Sequence, residues 1–304
     1  MSEVCSSLSR EGNEPLAGTA PETTYWIFWR FESPWAGKPL RSEALDPAVR
    51  DTFESLQERR SDIRVQLIRQ PVLPDFSRVL MMGSGDPENP WLAHFDERLS
   101  DSIPSLDFEA MFDACDEARR ANQPIPYEGA RWVQEPTFFV CVHSQRDRCC
   151  GKEGGALYRS MSRMQNVQVW QTSHLGGHRF APVVLSMPDG LCFGRVRSED
   201  AAMLIELIGD RRMPLDSLRG RCAWPAAAQA AEIALRAKTG DDRVGAVQLV
   251  EATAGEPSVV RLAANGKTHK FTVNFRNLEG VSTPKSCGEP SEPVRYFAAE
   301  SNGA

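Results

Sequence analysis

The order of secondary-structure patterns between residues 136 and 209 constrains the fold of this 304-residue chain more than any other feature. The strand pattern PTFFVCV is followed by the helix pattern GALYRSMSRM and by a second strand pattern, VQVWQT. Two further strand patterns, APVVLSM and LCFGRV, are joined by Pro188, Asp189 and Gly190, which are common turn formers. A helix that ends near Gly209 completes the segment. This β-α-β, hairpin, α order predicts a layered α/β unit.

The same order is that of the thioredoxin fold, and Ala181-Pro182 stands where thioredoxin-like folds carry a cis-proline. We therefore predict a thioredoxin-like second lobe at residues 131–222. Any other three-layer α/β unit is the alternative.

The residues before this lobe predict a related α/β lobe at 1–130. The strand pattern TTYWIFWRF, a helix near 47–58 and the strand pattern DIRVQLI give another β-α-β order. A third apolar run, RVLMM, leads to the turn-forming GSGDPENP, and residues 85–135 are mixed, with one helix at 108–120. We interpret this lobe as a candidate degenerate thioredoxin-like copy that packs or recognises a partner.

Residues 223–304 predict a C-terminal extension made of a helix and a β-meander. An alanine-rich helix pattern, PAAAQAAEIALRAK, is followed by three strand patterns, AVQLVEA, SVVRLAA and HKFTVNF. The tetrapeptide ANGK predicts a hairpin, because Asn-Gly fits a type I′ turn. The final residues, SEPVRYFAAESNGA, predict a docked or frayed end.

The composition excludes several classes of function. A net charge of -6 argues against nucleic-acid binding, because such proteins usually carry a strong basic bias. The first residues lack a secretory signal, and no run of 18 apolar residues exists, so we expect a cytoplasmic protein without a membrane span. In that reducing compartment, a cluster among eight cysteines favours metal binding or redox chemistry over disulfides.

That cluster lies at two predicted strand ends. The first strand ends near Cys141, with Cys149 and Cys150 close behind, and the second runs into His174 and His178. Ligands bind at the carboxyl ends of strands in α/β sheets, so these side chains are expected to meet. Two thiols and two imidazoles favour zinc or a [2Fe-2S] cluster, and the wide spacing between the cysteines favours the larger group.

On these residues the chain resembles the sucrase/ferredoxin-like family of thioredoxin-like ferredoxins. CVHSQRDRCCG is similar to a family pattern Cys-x-His-x-x-Arg-Asp-x-x-Cys-Gly, and SHLGGHRFAP contains the motif His-x-Gly-Gly-His. The resemblance implies that Cys141, Cys150, His174 and His178 ligate a [2Fe-2S] cluster in an electron-transfer protein. The doubled cysteine is a departure, and Cys150 is preferred over Cys149 because a glycine follows it.

Several neighbouring residues are candidates for a supporting role. Cys149 and His143 are reserve ligands, and the others orient the loops or add positive charge: Arg146, Asp147, Gly176, Gly177 and Arg179. The remaining cysteines are interpreted as structural: Cys5, Cys115, Cys192, Cys222 and Cys287.

Two other functions stay open from the residues alone. One is a zinc-stabilised interaction module, and the other is a thiol oxidoreductase that uses Cys149 and Cys150, although the Cys-x-x-Cys spacing of thioredoxins is missing. An electron carrier is favoured over a catalyst, and no paired acidic site supports sucrase activity. The expected partner is an unidentified redox protein, with no nucleic acid, no membrane and an undefined oligomeric state.

Overall fold

Two consecutive segments of the chain each fold into a β-α-β unit followed by an antiparallel hairpin and a helix. The computed structural model describes residues 4–71 and 79–301. A short helix, α1 (Cys5–Glu11), precedes the first unit. The first unit consists of β1 (Tyr25–Arg30), α2 (Pro47–Arg59), β2 (Ile63–Arg69), β3 (Leu80–Ser84), β4 (Trp91–Phe95), α3 (Glu97–Asp101), α4 (Phe108–Arg120) and β5 (Arg131–Trp132).

Local sequence signals explain where helix α2 begins. Asp46 caps α2 by accepting a hydrogen bond from the Ala48 amide, and Pro47 occupies the first turn.

Strand β1 pairs in parallel with β2 and antiparallel with β3. Strand β4 was not predicted, because its five residues directly follow a turn and are too short to show a clear period.

The second unit has the order expected for a thioredoxin-like fold. It consists of β6 (Thr137–Cys141), α5 (Gly155–Met161), β7 (Gln168–Thr172), β8 (Val184–Met187), β9 (Leu191–Phe193), α6 (Ala201–Gly209) and β10 (Leu218–Arg221). Strand β6 is parallel to β7 and antiparallel to β8, and the Ala181-Pro182 peptide is cis. The predicted fold class is therefore confirmed.

The two units share one ten-stranded sheet. Its order is β10-β9-β8-β6-β7-β2-β1-β3-β4-β5, so the strand order of the second unit is mirrored in the first. Strands β7 and β2 join the units as an antiparallel pair, with Ile68 opposite Thr172 and Arg69 opposite Gln171. The first residues of β2 consequently lie beside the chain that leaves β7. The interpretation of the first unit as a degenerate copy remains a proposal, for which this mirrored order is the argument.

The C-terminal extension is a helix and a four-stranded antiparallel sheet. It contains α7 (Ala226–Thr239), β11 (Val247–Ala252), β12 (Ser258–Ala264), β13 (Lys267–Pro284) and β14 (Ser291–Ser301). Asn265 and Gly266 both have positive φ, as the predicted type I′ hairpin requires. Strand β13 is longer than predicted. Of the segment expected to be a docked or frayed end, Ser291–Ser301 form β14 by pairing along β13, and residues 302–304 lie outside the described residues.

Within 4–71 and 79–301, no helix combines the length and the apolar character needed to cross a bilayer.

Candidate metal centre

The carboxyl ends of β6 and β7 bring two thiols and an imidazole together. Cys141 is the last residue of β6, and His174 follows the end of β7 by two residues. The Nδ1 atom of His174 lies 3.9 Å from the sulfur of Cys141 and 3.9 Å from that of Cys150. The three ligand atoms lie within 4.8 Å of one another, and both cysteines are buried. This spacing suits shared coordination of a metal.

His178 stands next to this group. Its Nδ1 lies 3.4 Å from Nε2 of His174, outside the compact group of three ligand atoms. Its Nε2 contacts the carbonyl oxygen of Lys285 and lies 3.8 Å from a carboxylate oxygen of Asp147. The Lys285 carbonyl can only accept a hydrogen bond, so it places the proton of His178 on Nε2 and leaves the lone pair of Nδ1 for a metal, which is the arrangement usual for a metal-binding histidine.

The two cysteine sulfurs form an unequal pair. The pKa of Cys141 lies well below its usual value, because the Cys150 thiol donates a hydrogen bond to its sulfur and His174 adds to the stabilisation. The same hydrogen bond, together with burial, raises the pKa of Cys150. The site therefore favours a thiolate at Cys141, and the thiolate is the form in which cysteine binds metals.

A close backbone approach holds the segment that carries Cys150. It begins a five-residue π-helical turn, Cys150–Gly154, which precedes α5. A Cβ at Gly154 would lie 1.9 Å from the carbonyl oxygen of Cys141. Only glycine therefore allows this turn to pack directly on the end of β6, and that contact brings Cys150 to Cys141.

Residues 174–178 are called the histidine loop. Two arginine side chains hold it by donating hydrogen bonds to its backbone carbonyls. Arg64, the second residue of β2, donates to the carbonyl oxygen of His174 at 2.9 Å. The buried Arg219 of β10 donates to the carbonyl of Gly176 at 3.0 Å. Gly176 and Gly177 both have positive φ, and a Cβ on Gly177 would lie 2.4 Å from the Arg219 guanidinium. Gly176 and Gly177 therefore permit the backbone conformation of the loop, and Gly177 also leaves room for the Arg219 guanidinium.

The sequence patterns did not indicate the contacts of Arg64 and Arg219 with the histidine loop. Arg64 precedes His174 by 110 positions in the chain and belongs to the first unit, which was expected only to pack or to recognise a partner. A single charged residue in a strand pattern carries no signal for such a role. The antiparallel pairing of β2 with β7 is what brings Arg64 under the loop.

Cys149 faces a different set of partners from Cys150. Its sulfur lies 3.4 Å from that of Cys5 and 3.3 Å from that of Cys287, and the Cys5 and Cys287 sulfurs are 3.5 Å apart. Asp147 borders this group, with Oδ1 3.2 Å from the Cys287 sulfur. The scattered appearance of Cys5 and Cys287 in the sequence was misleading, because the fold brings together cysteines that are 138 or more residues apart.

Two other predicted supporting residues, His143 and Arg179, contact neighbouring side chains and lie outside the compact group of ligand atoms. The buried ring of His143 lies edge-on to Trp35, with centroids 5.8 Å apart, and burial lowers its pKa. Arg179 donates to Glu14 at 2.6 Å, which ties the histidine loop to the segment after α1. Arg146 is exposed. Among the described residues, none of these three belongs to a compact group of ligand atoms.

Fold and donor set together define an α/β protein with a thioredoxin-like second unit, a first unit of mirrored strand order in the same sheet, and a cysteine-histidine group at the carboxyl ends of β6 and β7. The profile of the Sucrase/ferredoxin-like family matches residues 16–220, more than half of the chain. The chain therefore belongs to the Sucrase/ferredoxin-like family. No curated protein matches it in the sequence comparison.

Solved structures similar to this chain include thioredoxin-like [2Fe-2S] ferredoxins from Aquifex aeolicus. The wild-type protein at 1.5 Å resolution is 21% identical, with a TM-score of 0.22, and the match covers 24% of this chain and 84% of that one. A second structure of a thioredoxin-like [2Fe-2S] ferredoxin from the same organism is 22% identical, with a TM-score of 0.26 and coverage of 31% and 97%. These TM-scores describe a limited likeness.

Proposed function

We propose that this protein is an electron carrier that binds a [2Fe-2S] cluster through Cys141, Cys150, His174 and His178. The observation that carries the proposal is the donor set, in which Nδ1 of His174 faces both buried sulfurs and His178 adjoins it. Two thiolates and two imidazoles match the ligand chemistry of a [2Fe-2S] centre with mixed ligation. Such a cluster supplies one-electron transfer at a potential above that of an all-cysteine ferredoxin.

The chain's own residues prepare this site in three ways. The Cys150 thiol favours the thiolate of Cys141, and the Lys285 carbonyl holds the proton of His178 on Nε2. Arg64 holds the histidine loop and places a guanidinium behind it. His174 is only half-buried, so the site has an edge near the surface from which a partner could receive an electron.

The expected partner is an unidentified redox protein. The expected compartment is the cytoplasm. The cysteines at the candidate metal centre lie in two compact groups of possible metal ligands: Cys141 and Cys150 in one, and Cys5, Cys149 and Cys287 in the other. Clustered cysteines in a reducing compartment favour metal binding. A redox disulfide between Cys149 and Cys150 is disfavoured by the geometry, because the Cys150 sulfur faces His174 whereas the Cys149 sulfur faces Cys5 and Cys287.

Metal and sulfide analysis of protein purified without oxygen tests the proposal. We expect about two irons and two sulfides at this site, with a rhombic EPR signal after reduction. Iron and acid-labile sulfide are measured chemically, beside the visible spectrum. A protein without sulfide, whose four-ligand site holds a single zinc or no metal, would contradict electron transfer by this site.

Replacing Arg64 with methionine is expected to lower the midpoint potential of the cluster. The substitution keeps much of the side-chain volume but removes a positive charge and the hydrogen bond to the His174 carbonyl. One charge at about 10 Å and an effective dielectric constant near 20 changes the energy of reduction by about 1.7 kcal/mol, which is on the order of 70 mV for one electron. Redox titration followed by EPR measures the shift. Arg98→Met is the control, because that exposed arginine pairs with Asp96 in the first unit, and an equal shift in both variants would refute the role of Arg64.

A further inference from the structure

We propose that Cys5, Cys149, Cys287 and Asp147 form a second metal site, which binds one zinc ion and fastens α1 and the turn between β13 and β14 to the second unit. The inference uses residues outside the proposed cluster ligands, so it stands or falls independently of the proposed function.

The four donors come from three separate parts of the chain. Cys5 begins α1, and Asp147 and Cys149 lie in the loop after β6. Cys287 lies in the turn between β13 and β14. Segments that are otherwise far apart in sequence therefore contribute one thiol each to a common point. Such convergence of metal-binding side chains is expected of a site that staples a fold.

The distances fit a single four-coordinate ion. The three sulfurs are 3.3, 3.4 and 3.5 Å apart, and Oδ1 of Asp147 lies 3.2 Å from the Cys287 sulfur and 3.9 Å from that of Cys5. A tetrahedral zinc with bonds of about 2.3 Å to sulfur separates its sulfurs by about 3.8 Å. Outward shifts of a few tenths of an ångström would therefore complete the site.

The compactness of this group distinguishes it from the cysteine-histidine group. All four of its ligand atoms lie within 4.8 Å of one another, whereas only three of the four cluster candidates do. Three thiolates and one carboxylate in a closed group leave no open position, which is typical of structural zinc rather than catalytic zinc. Thiolate ligands also favour zinc over magnesium or calcium, which prefer oxygen.

Burial makes a bound cation energetically reasonable. Cys5, Cys149 and Asp147 are each buried, with side chains that carry negative charge when deprotonated. Buried charges in proteins are paired or coordinate metals, because an isolated buried charge loses its hydration without compensation. A zinc ion would neutralise part of this charge at the point where the three sulfurs meet.

The carboxylate is already oriented as a ligand. Its Oδ1 accepts a hydrogen bond from the Cys149 amide at 2.8 Å, and its Oδ2 accepts one from the Cys287 amide at 2.9 Å. Metal-binding carboxylates are normally fixed by such outer contacts. Cys149 and Cys287 therefore supply both thiol ligands and the backbone amides that orient the Asp147 carboxylate.

A disulfide explains this arrangement less well. Three thiols can form only one bridge, which would leave one sulfur and the carboxylate without a role. The turn that brings Cys287 also brings the Lys285 carbonyl to His178, so a metal at this point would hold in place a contact of the proposed cluster ligand. The site therefore stabilises the region around the histidine loop as well as α1 and the turn between β13 and β14.

The test measures zinc per chain in the full-length protein and in three variants, all purified anaerobically after growth with added zinc. The unmodified protein and Cys141→Ala are expected to retain about one zinc per chain, since Cys141 belongs to the other site. Cys287→Ala should lower zinc by at least about tenfold, and Cys115→Ala, which removes a lone buried thiol in α4, should not.

Cobalt provides a second readout that does not depend on the stability of one variant. Co²⁺ added to metal-free Cys141→Ala should give the intense visible bands of tetrahedral thiolate coordination, and the double variant Cys141→Ala/Cys287→Ala should lack them. Zinc lost in Cys141→Ala but kept in Cys287→Ala would overturn the proposal, as would an anaerobic protein without zinc. A disulfide between two of the three cysteines, detected by mass spectrometry of that protein, would do the same.

Discussion

Replacing Cys150 with alanine is expected to remove the iron of the protein, whereas replacing its neighbour Cys149 is expected to leave the iron in place. The Cys150 sulfur lies 3.9 Å from Nδ1 of His174, while the Cys149 sulfur lies 3.4 Å from Cys5 in the other group. Loss of even an outer contact of a metal site changes affinity by about 10- to 100-fold, so loss of a ligand should reduce iron at least tenfold. Iron, sulfide and visible absorption are measured on anaerobically purified protein.

Cys149 and Cys150 are adjacent, so the two alanine variants are well matched controls for each other. Both side chains are buried, both variants lose the same atom, and the two residues are adjacent in the chain, so a general effect on folding would affect both variants. Cys115→Ala controls for the loss of any buried thiol. Equal loss of iron in Cys149→Ala and Cys150→Ala would show that the two thiol groups are not separate, and iron kept in Cys150→Ala would exclude that residue as a ligand.

How far the sequence predicts this molecule depends on the range over which each signal acts. The strands and helices of the second unit follow from local apolar patterns and turn residues, and the hairpin at Asn265 and Gly266 follows from a dipeptide that tolerates positive φ. Strand β4 and the length of β13 escaped prediction, because strand pairing is decided by the partner strand and by burial as much as by propensity.

The candidate site was likewise predicted where the signal is local and missed where it depends on distant parts of the chain. Cys141, Cys150 and His174 were predicted to meet because they stand at the ends of two strands expected to lie in one sheet, and the structure places them within one group. The cysteine group around Asp147 and the support from Arg64 required contacts between parts of the chain more than 100 residues apart. No spacing rule within one sequence encodes such contacts.

Replacing Glu232 with glutamine should destabilise the protein more than any exposed charge substitution. Glu232 on α7 accepts hydrogen bonds from Arg221 of β10 at 2.9 Å and from Arg236 at 2.8 Å, and all three side chains are almost fully buried. Removing the negative charge leaves two buried guanidiniums without their counter-charge. Breaking a buried ion pair in this way costs about 3–5 kcal/mol of unfolding free energy.

Urea denaturation followed by tryptophan fluorescence measures this loss, with Glu251→Gln as the matched control. Glu251 pairs with Arg261 at 2.9 Å on the exposed face of the C-terminal sheet, where such a pair contributes about 0–1 kcal/mol. The comparison also bears on function, because β10 carries both Arg221 and Arg219, and Arg219 holds the carbonyl of Gly176. A small and equal loss in both variants would mean that the buried network does not fix α7 against β10, and the histidine loop would then have to depend on Arg64 and its own glycines for its position.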